Sequence, residues 1–255
     1  METYQEQSEP VRLQSLVEHL GDLRAVLIRS AVAVVIAFFA SFHYADRIIA
    51  FLKAPLLSAL PEHSRKLYYM GLTEQLYCYM KVSLFAALAF SFPFLLTQLW
   101  IFIAPALKKN EKRLVVPFIV ASISAFILGF FCAYRWGLPY VFQFLLSFSP
   151  TPDEVPLIRL SDYLTLVLQL LLGTALLFEI PVLLSLLGKL GIINAALLKH
   201  YRPQAYVGLA ILAAVLTPTP DAFSMILALI PLFFLYELSV FCVQWVASEN
   251  GGVTK

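Results

Sequence analysis

The chain has 255 residues, 60% of them hydrophobic and only 13% charged, with a formal net charge of +2. Soluble domains run nearer 25% charged. This composition, with a mean hydropathy of +0.82, therefore excludes a soluble domain and predicts an all-α, polytopic membrane protein. The charge is too small to argue for a nucleic-acid partner. The three cysteines, Cys78, Cys132 and Cys242, are isolated, and with no CxxC pair they support neither a metal site nor a redox motif.

The first 25 residues read as an amphipathic segment. Leu13, Leu16, Val17, Leu20, Leu23 and Leu27 recur at helical spacing, and Glu18, His19, Asp22 and Arg24 fill the polar face. Glu2, Glu6 and Glu9 stand where a cleaved signal peptide would be basic, so insertion is expected to start at the first internal apolar run. Crossing a ~30 Å hydrocarbon core takes about 20 apolar residues. Residues 26–247 are expected to form a transmembrane domain with six spans, at about 26–44, 82–107, 114–134, 163–188, 204–217 and 222–238, before a tail at 248–255. The last two spans are short, reaching about 21–22 Å as helices, and the turn Thr217-Pro218-Thr219-Pro220-Asp221 joins them. A hairpin of that length requires local bilayer thinning or covering partners, and the alternative is two ordinary spans with an extended or tilted last helix. Leu238–Ala247 is expected to continue as an interfacial helix.

Six spans place both termini on one side. That side carries eleven of the 18 Lys and Arg residues, four of them between Lys108 and Arg113, and the other side carries seven. The positive-inside rule then puts both ends in the cytoplasm.

Glu179 is the only charge between Tyr163 and Gly188. A carboxylate at membrane depth costs roughly 2.5–3.5 kcal/mol on insertion scales, so a chain that keeps one uses it or pairs it. Pro181, two residues on, frees the Leu177 carbonyl. Glu111 is a lone acid among Lys108, Lys109, Lys112 and Arg113, a setting in which a carboxylate stays charged and binds an incoming guanidinium. Asp221 reads as an N-cap, Glu74 as a solvated cap before the second span, and Tyr236-Glu237 as an interfacial pair. There is no GxxxxGK[ST], HExxH or GxSxG, which argues against a P-loop ATPase, a zincin or a nucleophile elbow. The sequence shows no catalytic or metal-binding constellation and implies no cofactor.

Several segments together resemble the TatC family, the multi-spanning core subunit of the twin-arginine protein translocase. His19-Leu20-Gly21-Asp22-Leu23-Arg24 is similar to the family's HLxELR opening, with Asp22 in the place of Glu, and Ala54-Pro55-Leu56 to its first-loop proline. Gln98 to Leu107, followed by Glu111 to Pro117, resembles its most recognisable stretch. Tyr134 at the end of the third span, Phe178-Glu179-Ile180-Pro181-Val182, Thr217–Asp221 and Leu235-Tyr236-Glu237 complete the match.

The resemblance implies six helices in a concave, glove-like arrangement in the bacterial cytoplasmic membrane. It implies that the chain exports folded proteins on the proton-motive force, without being an enzyme. The implied partners are twin-arginine signal peptides, TatA and TatB or a single TatA-like subunit, further copies of the chain in the receptor complex, and the lipid bilayer. Asp22 and Glu111 would face the paired arginines, beside Arg24, Arg113 and Phe102. Glu179, Pro181, Tyr134, Asp221 and Pro55 would serve the groove and its partner contacts. The rival reading is a proton-coupled small-solute transporter in which Glu179 carries the proton. An intramembrane enzyme is disfavoured by the missing catalytic sets.

Overall fold

A computed structural model of the chain describes residues 9–60, 66–103, 115–147, 157–216 and 222–251. Helix α1 (Glu9–His43) opens the chain as one 35-residue helix. The expected surface segment and the first span are thus continuous, because no proline falls between Pro10 and Pro55. The apolar part of α1 is Leu20–His43. We call the face where α1 begins the tail face, and the opposite one the loop face.

A turn at Tyr44 leads into α2 (Ala45–Ala59) on the loop face, which buries Ala45, Ile49, Leu52 and Leu56 at helical spacing. Helix α3 (Glu74–Ile103) returns to the tail face, starting eight residues before the expected span. Helix α4 (Val115–Cys132) climbs again. The helical path does not stop at Tyr134, as expected from the sequence. It passes through a π turn, Ala133–Gly137, into α5 (Leu138–Leu146). Pro139 explains the π turn: in a regular α-helix its ring would meet the Arg135 carbonyl, and a wider turn relieves that clash.

The fourth span is two helices, α6 (Leu160–Leu177) and α7 (Glu179–Lys189), broken at Phe178. Pro181 cannot bond the Leu177 carbonyl, so the ladder is interrupted there. After α8 (Ala195–His200), capped by the Asn194 side chain, come α9 (Arg202–Leu216) and α10 (Ala222–Gly251). Helix α10 runs unbroken past Leu238, so the expected interfacial helix is its direct continuation. Among the described residues, five helices are long and apolar enough to cross a membrane. At 15 residues, α9 is the short one.

The helices pack in sequence: α1 on α3, α3 on α4 and α6, α4 on α6 and α7, and α7 on α10, which carries α9. One core lies under α2 and α5, built around Leu52, Val82, Leu138, Leu164 and Val167. A second, smaller core joins α9 to α10. The Gln169 amide donates to the Val215 carbonyl at 2.7 Å. Gln169 lies nine residues into α6, about 13 Å below its loop-face end. The last turn of α9 therefore stops near mid-membrane, so the fifth span is short as expected, while α10 runs to 30 residues.

Two acids differ from their expected roles. Glu74 is no solvated cap: it is buried and accepts from the Arg159 guanidinium at 2.9 Å, the Met70 amide at 2.7 Å and the Ser161 amide at 3.4 Å. It thereby ties the two loop-face connections where Tyr68 pairs with Arg159. Glu237 is no isolated interfacial acid either. Its two oxygens take Arg202 at 2.5 Å and the Tyr206 hydroxyl at 2.7 Å, while the Tyr236 hydroxyl donates to the Leu198 carbonyl at 2.8 Å. The pair fastens α10 to the start of α9. Neither cation was readable as a partner, since Arg159 is 85 residues from Glu74 and Arg202 is 35 from Glu237.

Candidate functional site

The break at Phe178 is held against α4. Ser122, Phe126, Gly129 and Ala133 are buried at spacings of four, three and four, which puts them on one helical face. The Phe178 ring sits over Gly129: a Cβ added there would lie 2.8 Å from the ring. One residue on, Glu179 reaches back to α4, and the Ser122 hydroxyl donates to its Oε2 at 2.6 Å. Glu179 is 5% exposed, and its Oε1 has no hydrogen-bond partner among the described residues. Counted from Tyr163 it lies about 24 Å along the helix, on the tail side of mid-membrane. Pro181 is buried beside it. The arrangement presents a half-satisfied acid at a helix break, a group able to accept one more hydrogen bond or to hold a proton. Ser122 was not singled out from the sequence. Its signal was a hydroxyl inside the uncharged run 114–134.

Pro55 and Tyr134 come together in the structure. Pro55 lies inside α2 and lacks the N–H that would bond the Phe51 carbonyl four residues back. The Tyr134 hydroxyl donates to that carbonyl at 2.9 Å, and its ring stacks on Phe51 with centroids 4.3 Å apart. The Tyr163 hydroxyl bonds the next carbonyl, Leu52, at 2.5 Å. Two tyrosines from the π turn and α6 thus clasp the loop-face helix where its proline opens it. Tyr134→Phe should remove the bond to the Phe51 carbonyl and cost about 0.5–1.5 kcal/mol. In a Pro55→Ala background the restored N–H can take that carbonyl, so the same substitution should cost much less. Thermal melts of the four proteins measure the difference, and equal costs in both backgrounds would refute the pairing.

Asp22 and Arg24 are exposed on α1, at the tail-face end of its apolar stretch, with Leu23 half-buried between them. Phe102 is half-buried in the last turn of α3. Gln98 and Trp100, one turn earlier, are buried, and Gln98 Oε1 has no partner among the described residues. Glu111, Arg113 and Asp221 lie outside the described residues. Among the described residues, no hydrogen bond or ion pair joins Asp22 or Arg24 to the kink or to the clasp. The candidates therefore fall into a tail-face group, a kink and a loop-face clasp. Among the described residues, no cluster of three or more His, Cys, Asp or Glu could hold a metal ion.

The family model of the Sec-independent protein translocase protein (TatC) matches residues 18–231. The chain belongs to the TatC family. It is 36% identical over 224 residues to the Sec-independent protein translocase protein TatC of Desulforapulum autotrophicum, covering 88% of this chain and 82% of the relative. It is 36% identical over 237 residues to that of Escherichia coli K12, covering 93% and 91%. The crystal structure of the twin arginine translocase receptor TatC superposes with a TM-score of 0.80 at 33% identity, over 89% of this chain and 99% of the other. The concave, glove-like arrangement expected from the resemblance is therefore the one found. TatC membership makes this chain a multi-pass membrane subunit of a protein translocase, and it displaces the small-solute transporter reading of Glu179.

Proposed function

We propose that the chain is the signal-peptide receptor of a twin-arginine translocase in a bacterial cytoplasmic membrane, with its tail face and both termini in the cytoplasm. The observation that carries this reading is the match over 99% of the length of a twin arginine translocase receptor. Asp22 and Glu111 bind the two arginines of the signal peptide. Each guanidinium offers a planar fork to a carboxylate, a geometry that lysine does not reproduce. The exposure of Asp22 on the tail side of α1 supports its share of that role. Arg24, Arg113 and Phe102 border the site. Glu179, whose Oε1 has no partner among the described residues, contacts the inserted peptide or a partner helix, and Pro181 opens the backbone beside it. Pro55 and Tyr134 hold the loop-face helix, and Asp221 serves the groove and its partner contacts. TatA and TatB, or one TatA-like subunit, complete the translocase, which moves folded proteins on the proton-motive force without enzymatic chemistry of its own in this chain.

Binding of a twin-arginine peptide to the purified protein tests the site. A charge-assisted hydrogen bond contributes about 1.5–3 kcal/mol, so Asp22→Ala and Glu111→Ala should each weaken binding about tenfold or more. A peptide with paired lysines should bind the unaltered protein as poorly. Unchanged affinity in both folded variants would sink the assignment.

A further inference from the structure

Between α2, α3, α4 and α6 lies a cavity of about 630 Å³. Its wall is apolar: Leu52, Phe85, Ala89, Phe126 and Leu171 are typical. Phe92 and Phe126 stack at its deep end with centroids 3.9 Å apart. The rim residues Phe51, Phe90 and Ile127 are 49%, 73% and 61% exposed, so the cavity opens sideways, as a groove. Among the residues lining it, Arg47 alone is charged. Arg47 sits in the first turn of α2 at the loop face, exposed, with its guanidinium 5.4 Å from the Tyr44 ring centroid. The neighbouring carboxylate, Asp46, takes the Tyr79 hydroxyl instead.

We propose that this groove holds one acyl chain of a phospholipid from the loop-face leaflet, with the lipid phosphate on Arg47. Three observations carry the assignment. Along α3 the groove runs from Val82 to Pro93, about 16 Å at the helical rise, which is the depth of one leaflet of a ~30 Å core. The exposed rim of Phe51, Phe90 and Ile127 opens the groove sideways along that length, so an acyl chain can enter it directly from the leaflet. An extended peptide would bring an N–H and a C=O per residue to a wall with almost nothing to bond them. A hydrocarbon chain makes no such demand, and the single cation stands at headgroup level, where an anion is due. Glu179 and Ser122 do not line the groove, so the lipid leaves the acid at the kink uncovered. The assignment requires only a membrane-embedded chain and stands or falls apart from the signal-peptide reading.

The test uses the full chain in nanodiscs containing phosphatidylglycerol with a diazirine near the end of one acyl chain. After irradiation, labelled peptides are mapped by mass spectrometry. Label should concentrate on residues 85–93 and 123–130, above that on the exposed α1 face at Val32, Val35 and Ile36. Arg47→Gln should lower groove labelling roughly fivefold, the contribution of one basic residue at the surface, and Arg47→Lys should retain most of it. Ala89→Trp should abolish it by filling the groove. Arg47 is exposed, so its variants keep the fold even if the tryptophan variant does not. Labelling spread evenly over the lipid-facing helices, or groove labelling indifferent to Arg47→Gln, would overturn the proposal. So would a signal peptide with a photoprobe in its apolar segment that labels residues 85–93 while the lipid probe does not.

Discussion

Gly129→Leu is expected to lower the amount of folded protein in the membrane fraction several-fold. A Cβ at this position would meet the Phe178 ring at 2.8 Å and the Ala175 Cα at 3.0 Å. The second contact is backbone and cannot swing away. Overpacking a closely fitted site costs about 1–3 kcal/mol and sometimes more, out of a total stability of about 5–15 kcal/mol. A leucine adds three further carbons past the Cβ, in the interface that also carries the Ser122–Glu179 bond. Wedging α4 from α6 there separates both contacts at once. Gly208 on α9 makes the control, since nothing lies within 4 Å of a Cβ built on it, and Gly208→Leu should accumulate normally. Membrane levels and thermal unfolding in detergent read the outcome. A Gly129→Leu protein that accumulates and melts like the parent would sink the close-packing account of the kink.

The contrast between these glycines marks what the sequence could and could not say. The existence of the spans was legible, because hydrocarbon demands long apolar helices and little else satisfies it. So was the shortness of α9, bounded by Arg202 and the proline turn. The continuity of α4 into α5 was not, since Arg135 reads as the end of a span and the π turn that admits Pro139 leaves no periodic signal. The lone charge of Glu179 announced a site, but Ser122 lies 57 residues away, and nothing in the apolar run sets it apart from Ser124 or ties it to one partner. The same holds for Glu74 and Arg159. Local chemistry identified the acids as needing something, and only the tertiary fold supplied it. The motif resemblance served best for the pair Pro55 and Tyr134. It named both residues without a reason for either, and the free Phe51 carbonyl supplies one.

The Ser122–Glu179 bond allows the structural and functional parts of Glu179 to be separated. Ser122→Ala should destabilise the protein by about 1–3 kcal/mol, since a buried acceptor then loses its donor. Ser122→Ala with Glu179→Leu removes both polar groups and replaces the acid with an apolar side chain of similar size. Exchanging both partners for apolar groups is often nearly neutral, so the double variant should melt close to the parent and above the single variant. Its export of a folded twin-arginine reporter is nevertheless expected to fall steeply, and crosslinks from residues flanking position 179 to the signal peptide or a partner helix should be lost with it. Full export by the double variant would reduce Glu179 to a packing residue of the kink. A Ser122→Ala protein as stable as the parent would instead remove the hydrogen bond from the argument, leaving the break at Phe178 to be held by Gly129 and the fit of the ring alone.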